Sequence, residues 1–140
     1  LEKICRHTIK VPAEAIDTNG HVNNVHYIQW MQDAAVLHSK EAGCTRLTES
    51  LGATWVIRTH KVEYIQPAFA DDNITVLTWV SNFRKVRSLR KYKFIRTSDN
   101  VTVAQGETDW IFIDKQTGRP SIIPSEVKNT FELVPEDQEP

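Results

Sequence analysis

Residues 16–30 read IDTNGHVNNVHYIQW. Two kinds of local order meet in this stretch. Its first half is a polar loop, with Asp17, Asn19, His21, Asn23 and Asn24 inside eight residues. Gly20 offers a turn at positive φ. So many acceptors, amides and an imidazole are costly to bury without partners. Its second half opens a helix. Asn23 and Asn24 are both good N-caps. Tyr27, Ile28, Met31, Ala34, Ala35 and His38 then recur on one helical face, an apolar stripe with a polar end. Gly43 marks the stop. The helix is about 20 residues long, enough to lie across a sheet.

On either side the period is that of strands. Ile4 to Val11 alternates as a half-buried strand, and Pro12 ends it because it cannot donate to a ladder. After the helix, Thr45 to Gly52 reads as a loop with a short second helix. Four long strands follow: Trp55 to Ile65, closed by Pro67; Ile74 to Phe83; Arg87 to Arg96; and Val101 to Ile113. Ala104 and Gly106 share one face of the last strand and leave room for a helix close against it. Asp114 to Gly118 is a turn, and a short helix begins at Pro124–Ser125. One long helix followed by a run of strands argues α+β, with an antiparallel sheet and the helix on one face. Long antiparallel strands curled around a single central helix describe the hotdog fold.

The totals agree. The chain has 140 residues, 40% hydrophobic and 25% charged, which fits one domain with a real core. We assign residues 1–134 to that domain and 135–140 to an acidic, disordered tail. The net charge of −1 argues against a nucleic acid or a membrane surface as partner. Cys5 and Cys44 lack metal-ligand spacing and read as two reduced thiols of a cytoplasmic protein. No apolar run reaches the roughly 20 residues of a membrane span. Seven of the 17 basic residues fall between Arg84 and Arg96.

The run Asp17-x-Asn19-Gly20-His21-Val22-Asn23-Asn24, with Tyr27 and Trp30 after it, resembles the motif of acyl-ACP thioesterases and of bacterial acyl-CoA thioesterases of the 4-hydroxybenzoyl-CoA type. The likeness extends to Val62-Glu63-Tyr64 with Pro67, and to Gly118, Pro120, Ile123 and Pro124. It implies hydrolysis of acyl thioesters of coenzyme A or acyl carrier protein, without metal or other cofactor. It also implies a homodimer or homotetramer with each site at a subunit interface. Asp17, Asn19 and His21 match the catalytic loop. There is one departure. The plant acyl-ACP enzymes carry a Glu-Cys pair shortly after the Glu-Tyr matched by Glu63 and Tyr64. Pro67 and Ala68 stand there in this chain, so a cysteine nucleophile at that place is excluded.

Thioester hydrolysis needs a group that activates water or attacks the carbonyl, and donors for the oxyanion. Asp17 is the candidate base or nucleophile; alone it would read as a turn residue closing on its own backbone. Asn19 either orients the water or is the first half of an Asn-Gly turn. His21 either donates to the thioester carbonyl or is a structural histidine. The oxyanion donors are expected among the helix-start N–H groups of Asn23, Asn24 and Val25, which lack intrahelical partners. Tyr27 and Trp30 read as core or as an acyl channel. Glu63 is a second carboxylate or a solvated strand residue. Arg84, Lys85 and Arg87 bind substrate phosphates or form a solvated strand face. Two other functions stay open: a hotdog acyl-CoA dehydratase or hydratase, and a non-catalytic acyl-binding module. The lyase pattern has Pro where Gly20 stands and its histidine one residue later.

Overall fold

The computed structural model describes residues 3–140. Five strands form one antiparallel sheet: β1 (Cys5–Lys10), β2 (Ala53–Tyr64), β3 (Asn73–Phe83), β4 (Arg87–Arg96) and β5 (Val101–Asp114), in the order β1-β3-β4-β5-β2. The helices are α1 (Asn24–Glu41), α2 (Cys44–Ser50) and α3 (Ser125–Lys128). The architecture is the α+β hotdog: a curled antiparallel sheet around one long helix.

Burial explains why α1 lies where it does. Tyr27, Trp30, Met31, Ala34, Ala35 and His38 are its buried residues. Trp30 takes the place in this stripe that the sequence assigned to Ile28, which is only half-buried. The stripe packs on Ile74 and Val76 of β3, Tyr92 and Phe94 of β4, and Val103 and Ala104 of β5. The small residues of β5 set the approach. A Cβ built on Gly106 would stand 3.1 Å from the Met31 sulfur and 2.8 Å from the Lys61 carbonyl oxygen. Met31 therefore lies directly over the glycine. Gly43, at φ 81°, ends α1 and caps α2 at the same time.

The outer face of the sheet carries a second layer. Leu77 and Trp79 of β3 are buried there against Val134, whose N–H donates to the Val80 carbonyl at 3.0 Å. Residues 135–140 depart from the disordered tail expected from their acidity. Glu136–Gln138 forms a 3-10 turn, and Glu139 pairs with Lys91 of β4 at 2.7 Å. The basic β4 gives the acidic end a counter-charge to lie on. Cys5 and Cys44 are buried. No helix among the described residues is long and apolar enough to cross a membrane.

Candidate active site

The polar loop is a tight hairpin. Ile16 and Val22 form an isolated antiparallel bridge, and Asp17 N–H donates to the His21 carbonyl at 3.0 Å. Gly20 turns the chain at φ 84°. Asp17 Oδ1 accepts the Asn19 backbone N–H at 2.9 Å, so half of its carboxylate closes the turn. Its second oxygen has no partner among the described residues. Asp17 and His21 are half-buried and Asn19 is exposed. The Asn19 and His21 side chains reach no hydrogen-bond partner among the described residues. Asn19 contributes its backbone N–H to the turn.

Two backbone bonds seat the hairpin against the start of α1. Asn23 N–H donates to the Ala15 carbonyl at 2.8 Å, and Val22 N–H to the Ala68 carbonyl at 2.9 Å. These bonds also decide which helix-start donors remain. The Asn23 N–H is consumed by Ala15. The Val25 N–H is consumed by the Asn23 cap, 3.0 Å from Oδ1. His26 N–H reaches the Asn23 carbonyl at 3.0 Å. Of the three expected donors, only Asn24 N–H is without a partner among the described residues. It lies at the positive end of an 18-residue helix, beside the loop that carries Asp17.

An aromatic group stands behind this corner. Tyr27 meets Trp30, Phe94 and Tyr64 edge to face, at centroid distances of 5.4, 5.3 and 5.5 Å. Burial pushes the Tyr27 phenol up to about 12, with the neighbouring Tyr64 adding to it. Tyr27 is only 3% exposed and packs in the core. The Tyr64 hydroxyl donates to the Asn24 carbonyl at 3.2 Å and ties the end of β2 to the helix start. Tyr64 belongs to the stretch that resembles the family, but nothing in its local sequence marks that tie. Arg96 supports the corner from below, donating to the Pro67 carbonyl at 2.8 Å and to both oxygens of Asp99.

The other expected site residues are not gathered at this loop within one chain. Glu63 is exposed and accepts from Gln105 at 3.3 Å. Its neighbours Val62 and Tyr64 face α1, so Glu63 lies on the opposite side of the sheet. It supplies no second carboxylate beside Asp17. Arg84, Lys85 and Arg87 sit at the β3–β4 turn, next to Phe112 and Ile123. That is the Ala53 end of β2, whereas the loop meets the Tyr64 end. The two ends are separated by roughly the length of α1, about 27 Å at 1.5 Å per residue. Arg87 is also engaged, 3.3 Å from Asp109.

At this far end the structure has a cavity of about 280 Å³ between the C-terminal half of α1, α2 and the sheet. Trp55, Phe83, Phe131 and the buried Arg90 are among the residues that line it. Both readings of the charge run, phosphate binding and a solvated strand face, turn its side chains outward. The alternation Ser88, Arg90, Tyr92, Phe94, all buried, carried the signal that Arg90 points inward.

A family model described as the thioesterase-like superfamily matches residues 11–131. No curated protein matches the chain. Solved structures do. A probable thioesterase from Escherichia coli superposes with a TM-score of 0.84 at 17% identity, over 90% of this chain and 95% of the other. A 1,4-dihydroxy-2-naphthoyl-CoA thioesterase from Synechocystis gives 0.80 at 14% identity, over 91% and 94%. An acyl-ACP thioesterase from Bacteroides thetaiotaomicron gives 0.84 at 19% identity, over 99% of this chain and 57% of the other. At these identities the likeness is one of fold.

Proposed function

The chain belongs to the thioesterase-like superfamily, and on that premise we propose that it hydrolyses an acyl thioester of coenzyme A or acyl carrier protein to a free acid and a thiol. The observation that carries this reading is the pairing of a half-engaged carboxylate with an unused helix-start amide. Asp17 keeps one oxygen uncommitted, and Asn24 N–H has no partner among the described residues. The carboxylate activates water, or attacks the thioester carbonyl itself. The amide, at the positive end of α1, takes the developing oxyanion. His21, on the same hairpin and without a side-chain partner among the described residues, is a supporting donor.

A homo-oligomer fits this chemistry. β2 pairs with β5 on one side, and its other edge carries no strand among the described residues. An open edge of 12 residues is a template for another strand. If two copies pair their β2 edges antiparallel about a two-fold axis, the Tyr64 end of one meets the Ala53 end of the other. The Asp17 loop of one copy then approaches the cavity and the Arg84–Lys85 turn of its neighbour. In that arrangement those cations would meet the substrate phosphates, which a single chain does not allow.

Asp17→Asn tests the assignment. It keeps the turn acceptor and removes the base, so thiol release from acyl-CoA should fall roughly 10²- to 10⁴-fold. The circular dichroism spectrum should stay unchanged. Near-wild-type turnover in this variant rules out Asp17. A panel of acyl-CoA and acyl-ACP esters, scored by thiol release, identifies the carrier and the acyl chain.

A further inference from the structure

The cavity at the far end of α1 holds a cation that the proposed hydrolysis leaves without a role. Arg90 is 5% exposed. Its Nη1 donates to His38 Nδ1 at 2.9 Å and to Thr78 Oγ1 at 3.0 Å. The Phe131 ring lies 5.2 Å from the guanidinium carbon. None of the ion pairs among the described residues includes Arg90. Its Nε and Nη2 have no hydrogen-bond partner among them either.

A buried cation without an anion is unfavourable, and an apolar side chain of similar size would be the better core residue. Burial accordingly pushes the Arg90 pKa down, although a guanidinium keeps its proton in proteins. What distinguishes this arginine from a merely costly one is the space beside it. Arg90 lines the cavity of about 280 Å³, whose other walls include Ala35, Trp55, Phe83 and Phe131. Glu49 and Lys115 also line it, but the aromatic walls suit a hydrocarbon chain. A planar guanidinium with two unused donors suits a carboxylate.

We propose that this cavity binds a carboxylate carried on a short aliphatic chain, the carboxylate on Arg90 and the chain against Trp55, Phe83 and Phe131. The carboxylate has two possible sources. It is either a free acid or the distal group of a dicarboxylic acyl chain.

Calorimetric titration with octanoate and with octan-1-ol tests the free acid, because the two differ in the anion alone. Wild-type protein should prefer octanoate by about tenfold, the value of one charge-assisted pair. Arg90→Met should abolish that preference and still bind octan-1-ol. Val36→Trp, at the exposed mouth of the cavity, leaves Arg90 in place and should weaken both ligands. The second source is tested by comparing suberoyl-CoA with octanoyl-CoA, an arm that rests on the thioesterase reading. A higher kcat/KM for suberoyl-CoA supports the proposal. If neither ester is turned over, the thioesterase reading fails, and the octanoate comparison alone judges the cavity. Equal affinity for octanoate and octan-1-ol in the wild-type protein, without a preference for suberoyl-CoA, overturns the proposal. So does an octanoate preference that survives Arg90→Met.

Discussion

Gly106 shows how little freedom some single positions have. It pairs with Val62 of β2 and Tyr92 of β4, inside the sheet. A methyl group there would meet the Lys61 carbonyl at 2.8 Å, and that oxygen belongs to the neighbouring strand's backbone. Strand spacing cannot yield as a side chain can. Gly106→Ala should therefore cost about 1–3 kcal/mol, the usual range for overpacking, read as a lower urea midpoint. An unchanged midpoint would show that the sheet gives way. His60 supplies a pH dependence. Its Nδ1 lies 2.8 Å from the buried Thr108 hydroxyl, and burial lowers its pKa below the ordinary 6.5. Between the lowered folded value and 6.5 the unfolded chain binds more protons. The His60 contribution to stability is thus full above pH 6.5 and is lost as pH falls toward the folded value. His60→Gln should flatten stability against pH in that interval, and an unaltered slope would assign it to other groups.

Among the elements, α1 depends most on its first turn. Asn23 is in extended backbone, and its side chain takes the Val25 N–H. Asn23→Ala should lower stability by about 1 kcal/mol, and Asn23→Asp should recover most of it. Asn23→Ala also frees a second amide, that of Val25, beside Asn24. Chemical denaturation measures the first effect. The second would appear as altered thiol release once stability is accounted for. β2 shows a different dependence. Its pairing with β5 shifts register between Ile57 and Thr59. Before the shift Trp55 packs inward on Phe112; after it His60, Val62 and Tyr64 face α1. The inward parity changes from odd to even, which is what sends Glu63 to the outer face.

At the scale of the molecule, the proposed catalytic loop and the cavity occupy opposite ends of one helix. A pairing of two β2 edges would join an end of each copy to the other end of its neighbour. Sedimentation equilibrium should then give a mass near twice 16.1 kDa or a higher even multiple. A fully active monomer would refute the shared arrangement. The outer face behaves differently at this scale. Val134 packs on Leu77 and Trp79 within the same chain. That patch needs no second copy to shield it.

The sequence by itself determined the order of elements, the strand limits within a few residues, the helix and its cap, and the close approach at Gly106. Each of these follows from local causes: a period of two or of 3.6, a side chain that can cap, a residue too small to keep a helix away. The polar loop was legible for the same reason, because its residues are consecutive. The tertiary structure decided the rest. Only the bulge in β2 settles which way Glu63 points, since one extra residue inverts every later side chain and leaves no mark in composition. Only strand order places Arg84, Lys85 and Arg87 a helix length from Asp17. Arg90 turns inward because β4 lies in the middle of the sheet, with α1 against its inner face and the C-terminal segment on the outer. A charge run reads as surface until both faces of its strand are seen to be covered.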